Sequence, residues 1–397
     1  MMPISSKLEP AQSRFYYFLI LHSVLIGLFP FFIPLFLWRM DFSLTGISFY
    51  IAITGFSFLL ALFAWDRLHQ RLGPYLLFIV SLLLELTLLL SAFYSQYDWF
   101  ILCIGLLNGF YSCTYWMTQR TLFLETITSN NSGDSFGNLQ IVVLIALKIG
   151  MLCGGFLLER AGLLTVTSVS ILLVILGLIG LKMFAIDLQR FSKPKPDAAI
   201  SVKQWSSFKD EYHSRPVFLA DGIFLFLESH FWLLSLFFIA DENFTRLSIL
   251  VIGLGLVFSI LFWGTKKIID QVTGNRLYQF TVLGYALSWV LRAALPGMSN
   301  TLFVITLVLI TFLTSLFRLT FNKRFFDHAL HSNPHHYLVV KSYLSQAMLV
   351  LFFMLAGMAM LKWGNEPASS LTLVYCLAAP LTATYWFYNA RFSQATA

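Results

Sequence analysis

The chain has 397 residues, 58% of them hydrophobic and 11% charged, with a formal net charge of +7 and a mean hydropathy of +0.76. Soluble domains carry about 25% charged residues, and a single core stops growing near about 250–300 residues; the composition excludes a water-soluble globule and makes lipid the solvent. All four cysteines, Cys103, Cys113, Cys153 and Cys376, fall inside apolar runs, which argues against a disulfide framework or a zinc cluster.

A helix needs about 20 apolar residues to cross a bilayer core. After a short polar stretch the first such run is Phe15–Leu37, too long for a signal-peptide core and without a small-residue cleavage site, so it is read as a retained span. Spans follow at Thr45–Ala64, Pro74–Tyr94, Trp99–Thr118, Phe136–Leu158 and Leu163–Phe184. A second set occupies Val217–Ile239, Leu247–Gly264, Leu277–Pro296, Leu302–Phe321, Tyr337–Leu361 and Ala368–Tyr388. The expected fold is therefore an all-α polytopic membrane protein of twelve transmembrane helices in two six-helix bundles, residues 1–184 and 216–397. Between them, residues 185–215 carry Lys193-Pro194-Lys195-Pro196, Lys203, Lys209 and Arg215, the character of a cytoplasmic linker or surface helix.

Lysine and arginine collect on cytoplasmic loops. With both termini inside, only Arg39, Arg160, Arg246, Arg292 and Lys362 fall outside and Lys148 in mid-membrane, the remainder of the 26 basic residues lying at the cytoplasmic face. The same asymmetry accounts for the positive charge and removes the need for a nucleic-acid partner. The short termini and compact loops point to a bacterial inner membrane and a monomer. Asp66 and Asp270 close the second and eighth spans at an offset of 204 residues, and Arg120 and Arg324 close the fourth and tenth at the same offset, the pattern of a duplicated half.

With these features the chain resembles the major facilitator superfamily over essentially its whole length. Ala64-Trp65-Asp66-Arg67-Leu68-His69-Gln70-Arg71-Leu72-Gly73-Pro74 is similar to that family's Asp-Arg…Gly loop, and Gly264-Thr265-Lys266-Lys267-Ile268-Ile269-Asp270-Gln271-Val272-Thr273-Gly274-Asn275-Arg276 is its counterpart in the second half. The resemblance implies a cytoplasmic latch in which Asp66 and Asp270 cap helix N-termini and Arg67, Arg71, Arg276, Arg120 and Arg324 pair across the seam, each contact worth on the order of 1 kcal/mol. The fifth span carries Gly137, Ala146, Gly150, Gly154 and Gly155 at the spacing of the family's antiporter motif, with Met151 where that motif has proline. It implies a close helix-packing face and an antiport mechanism, the proline kink being absent.

An ionisable side chain at membrane depth normally faces the bundle interior or a water-filled cavity. Glu228 with His230 in the seventh span and Lys148 in the fifth are the expected substrate or coupling residues. Lys148 and Glu228 have opposite charge and come from opposite halves; Glu85, on the peripheral third span of the resembled fold, is the weaker candidate. Asn108, Tyr111, Tyr115 and Trp116 in the fourth span, Tyr17 and His22 in the first, and Arg318 at the end of the tenth suit a cavity for an organic molecule, with Trp116 and Tyr17 equally suited to interfacial anchoring. His328, His331, His335 and His336 are expected in a solvated loop, with no metal. No phosphate-binding loop, nucleophile elbow or His-Glu-x-x-His pair is present, so neither a cofactor nor an enzymatic activity is expected. The reading is a secondary transporter of a small organic molecule with protons as coupling ion, export of an amphiphilic or siderophore-like compound being favoured. The alternatives are uptake of a nutrient or metal chelate and, of another class, a non-transporting sensor or binding partner.

Overall fold

The computed structural model describes residues 10–97, 99–126, 132–191, 199–271, 275–363 and 366–388, and among these there are helices and turns but no strand. Nine stretches of the described residues are long and apolar enough to cross a membrane, the first at Phe18–Arg39 and the last at Pro367–Phe387. The helical segments follow the order expected for twelve spans. The first is α1 (Pro10–Leu28) and α2 (Ile33–Arg39) in series, broken where Pro30 and Pro34 remove backbone donors and force a short 3-10 turn.

The second and third spans form one element, α3 (Leu44–Ser91), bent at Gly73 (φ 71°) just before Pro74. Only glycine takes that backbone angle without strain, and proline then opens the next helix. The fourth to sixth spans are α4 (Phe100–Thr126), α5 (Ser132–Arg160) and α6 (Gly162–Phe191). After the short helix α7 (Val202–Ser206), capped by Ser201 and Gln204, the seventh span runs through α8 (Ser214–Phe226), a π-helical turn at Leu227–Trp232 and α9 (Leu233–Ile239). The rest are α10 (Phe244–Gln271), α11 (Asn275–Ala294), α12 (Asn300–His331), α13 (Pro334–Trp363) and α14 (Pro367–Leu381). Aspartates Asp41 (φ 62°) and Asp241 (φ 54°) both follow the first span of their half in the left-handed conformation.

Two sequence expectations are corrected. The tenth span does not end near Phe321: α12 continues through Lys323, Arg324 and Asp327 to His331, because a helix need not stop where the apolar run does. The histidines therefore do not sit in a solvated loop; His328 and His331 belong to α12, His335 and His336 to α13, and His328 is buried against the Tyr212 ring at 3.9 Å. Arg292, placed at the outer face by the charge count, lies in the last turn of α11 and is buried there.

The chain divides into two units. The first comprises Met1–Phe42, Phe49–Ile200 and Ile239–Ser248; the second comprises Ser43–Ser48, Ser201–Phe238 and Ile249–Ala397. Glycines set the packing of the first. A Cβ on Gly150 would lie 2.3 Å from the Val24 carbonyl oxygen, and one on Gly154 would lie 2.4 Å from that of Leu28, so α5 meets α1 backbone to backbone. Ala146 is buried on the same helix, and Gly155 faces Phe244 and Ser248 of the 239–248 segment. Gly137 lies outside the residues whose side chains are described.

Gly150→Ala is expected to destabilise the purified protein by about 1–3 kcal/mol, since the obstacle is backbone and cannot rotate away. Gly253→Ala, at an α10 position with open space around it, is expected to be neutral or stabilising by up to about 1 kcal/mol. Thermal unfolding in detergent decides between them; equal melting temperatures would remove the close-packing role.

Candidate functional site

Three helices of the second unit bring four charges together. Asp221, on α8 and 1% exposed, receives a hydrogen bond from Arg318 Nη1 at 2.8 Å and pairs with Lys341 Nζ at 2.9 Å. Arg318 Nε donates to Glu228 Oε2 at 3.0 Å, so one guanidinium on α12 bridges two carboxylates of the seventh span. Glu228 also accepts a short hydrogen bond from the Tyr285 hydroxyl of α11, and Tyr385 donates to Asp221 at 3.1 Å. Burying charge is costly unless it is paired, and these four charges are paired with one another.

The cluster is graded in accessibility. The side chains of Asp221 and Lys341 are 1% and 9% exposed, those of Glu228 and Arg318 18% and 16%. Asp221–Lys341 is the sealed side and Glu228–Arg318 the open one. The π-helical turn falls on the open side and contains Glu228 and His230; such insertions re-aim side chains and recur at functional sites. His230 is buried, bonded through Nδ1 to Ser229 Oγ at 2.8 Å and stacked on Phe226.

Tyr285, Ser288 and Arg292 lie one to two turns apart on one face of α11, opposite Thr314 and Arg318 on α12. Arg292 donates to Ser288 at 3.0 Å and Thr314 at 2.7 Å and lies over the Trp289 and Trp232 rings at 4.2 and 4.9 Å. Among the described residues it has no carboxylate partner, and its buried Nε makes no hydrogen bond. Two carboxylates therefore share this polar stripe with three cations.

The first unit holds a second polar group. His22 of α1 is fully buried, with Nε2 3.1 Å from the Tyr111 hydroxyl and Nδ1 3.5 Å from Glu85 Oε2, and its ring stacks on Tyr115 at 3.7 Å. Asn108 donates to the Tyr50 hydroxyl at 2.7 Å. Lys148 is half-buried on α5 of this unit, whereas Glu228 belongs to the second. Trp116 is half-buried beneath Arg120, whose guanidinium lies 5.8 Å from its ring; the side chain of Tyr17 is outside those described.

The expected latch residues have diverse surroundings. Asp66 is buried and accepts a hydrogen bond from the Ile200 N–H at 2.8 Å, just ahead of α7. Arg67 bonds the Phe63 carbonyl one turn back and covers its ring, while Arg71 and Arg276 are exposed. Arg324 donates to the Tyr388 carbonyl and lies over Tyr278 at 3.9 Å. The side chain of Asp270 is outside those described.

At the other end of the first unit, Glu159 closes α5. It accepts hydrogen bonds from Arg39 at 3.0 and 3.2 Å and from the Phe244 N–H, the start of α10, at 3.0 Å. Burial opposes ionisation of Glu159, but these hydrogen bonds and the charges of Arg39 and Arg160 outweigh it and hold the carboxyl below the ordinary glutamate value. The tie is complete above the ordinary range and is lost only as pH falls through that lowered value.

Asp221 and Lys341 were not singled out from the sequence. Each lies four residues inside its apolar run, where a charge passes for an interfacial one; the signal was their opposite sign on spans that pack together.

No curated protein sequence matches the chain. The fold is similar to the crystal structure of nucleoside transporter NupG, with 14% identity, a TM-score of 0.68 and 95% of this chain matched to 98% of that one. It is likewise similar to the human organic anion transporter MFSD10 (13% identity, TM-score 0.65, 94% and 100% covered). A bacterial homologue of the iron transporter ferroportin, in an inward-facing state, is similar at 12% identity and TM-score 0.63 over 96% and 100%. At such identities the likeness shows the fold alone. Residues 16–340 match the family model for the Major Facilitator Superfamily, and the chain belongs to that family of membrane transporters.

Proposed function

We propose that this protein is a secondary active transporter that carries a small, amphiphilic organic anion across a bacterial inner membrane by alternating access, coupled to protons, with both termini in the cytoplasm and export as the working direction. The observation that carries the proposal is the bridged set Asp221–Arg318–Glu228 with Lys341, at membrane depth and more accessible at its Glu228–Arg318 side.

Charges retained at such depth serve ion or substrate handling by default. An incoming carboxylate or phosphate competes with Glu228 for Arg318, whose planar fork suits a bidentate oxyanion. The released Glu228 keeps the Tyr285 hydroxyl, and Asp221 keeps Lys341. Arg292, the cation in excess on the same stripe, tips the balance toward an anion, and the indoles of Trp232 and Trp289 around it suit a solute with an apolar body. The similar folds belong to transporters named for unlike cargoes, so the choice rests on this charge balance. Direction rests on the α5 glycine spacing, and orientation on the distribution of lysine and arginine.

The experiment is reconstitution into vesicles containing a pH-sensitive dye, challenged in turn with amphiphilic carboxylates, phosphorylated compounds, nucleosides, metal chelates and organic cations while internal solute and pH are followed together. Movement of at least one organic anion with an accompanying proton flux is expected. A response confined to cations would overturn the anion assignment, and no flux of any solute would make the protein a sensor.

A further inference from the structure

Glu85 is 4% exposed in the interior of the first unit. Its one ion-pair contact among the described residues is His22 Nδ1 at 3.5 Å, itself buried. The Tyr111 hydroxyl, bonded to His22 Nε2, is close enough to act on the carboxyl, yet neither Glu85 oxygen nor His22 Nδ1 completes a hydrogen bond. Contrast Asp221 and Glu228, each held by a guanidinium.

A carboxylate in this setting, ion-paired among the described residues with an imidazole and with no lysine or arginine, is stable only with one proton shared by the pair, as carboxylic acid beside neutral imidazole or as carboxylate beside imidazolium. The two forms differ by transfer of that proton from the Glu85 oxygen to His22 Nδ1. Its departure leaves a lone buried anion. A small cavity lined by Glu85, Ser170, Leu25, Phe29 and Pro30 lies beside this group.

We propose that Glu85, with His22 and Tyr111, is a proton-binding site in the first unit, separate from the solute-handling charges of the second. The groups that face it are His22 from α1, Tyr111 and the stacked Tyr115 from α4, and Ser170 from α6. Glu85 is the proton carrier, and His22 a positioning residue that offers the proton its second seat. The assignment rests on the coupled-transport reading for its purpose, but not for its test.

Infrared difference spectra of the purified protein between low and high pH read carboxyl protonation directly. The wild type and Glu228→Gln are expected to show the band of a buried protonated carboxyl that is lost on alkalinisation; Glu85→Gln is expected to lack it. His22→Gln, which keeps volume and a hydrogen-bonding end, is expected to move the titration, and it stands in if Glu85→Gln fails to fold. In vesicles Glu85→Gln is expected to lose proton-driven accumulation by about tenfold or more, the usual size of a coupling between two sites, while counterflow exchange persists. Persistence of the band in Glu85→Gln, its absence from the wild type, or an unmoved titration in His22→Gln would overturn the site. Failure of the transport reading alone leaves the spectra as described.

Discussion

Asp221→Asn is expected to lower stability by about 3–5 kcal/mol, the cost of leaving buried charge unpaired, and with it the yield of folded protein. The neutral amide retains the volume but removes the anion that Arg318 and Lys341 share. Arg318 still has Glu228, whereas Lys341 loses the carboxylate 2.9 Å from its Nζ. Removing the surplus cation as well, in Asp221→Asn with Lys341→Met, is expected to recover most of the loss, because the remaining Glu228–Arg318 pair is neutral. A double-mutant cycle read by thermal unfolding measures this: residues in direct contact interact by about 0.5–3 kcal/mol, whereas independent sites add within about 0.5 kcal/mol. Additivity of the two substitutions would show that the sealed pair does not hold the three helices together.

Arg318→Lys is expected to lower solute transport by at least about tenfold while leaving a foldable protein. The positive charge is retained, so the two acids are not stranded. One ammonium cannot, however, reproduce donors directed from Nε to Glu228 and from Nη1 to Asp221, nor present a fork to an oxyanion. Loss of at least about tenfold in transport corresponds to about 1.4 kcal/mol, less than one charge-assisted hydrogen bond to a carboxylate contributes. Wild-type flux in Arg318→Lys would return the guanidinium to a purely structural role.

Much of the architecture was legible because lipid imposes one rule on every span: the apolar run must be long enough. Proline and glycine punctuation, such as Pro30 with Pro34 and Gly73 with Pro74, marked the breaks. The ends of α12 were not legible, since Lys323, Arg324 and Asp327 are polar but helical, and hydropathy reads depth, not hydrogen bonding. At the candidate site the individual members Glu228, Arg318, His22 and Tyr111 were legible as polar residues within apolar runs. Their partners were not. Glu228 meets Arg318 and Tyr285 across 90 and 57 residues of sequence, and Glu85, which looked peripheral by its span number, is reached by His22 from α1. Side-chain pairing between helices depends on rotation about each axis, which span boundaries leave open. Arg67 has a local contact as well: its Nη1 donates to the Phe63 carbonyl one turn away, which the loop motif did not suggest.

The most direct test of a solute site at Glu228–Arg318 is equilibrium binding of the organic anion identified in the vesicle assay to purified wild-type, Arg318→Lys and Glu85→Gln proteins. Binding is expected to weaken about tenfold or more in Arg318→Lys and to remain near wild type in Glu85→Gln; wild-type affinity in Arg318→Lys would contradict the placement of the solute on the second unit's charges.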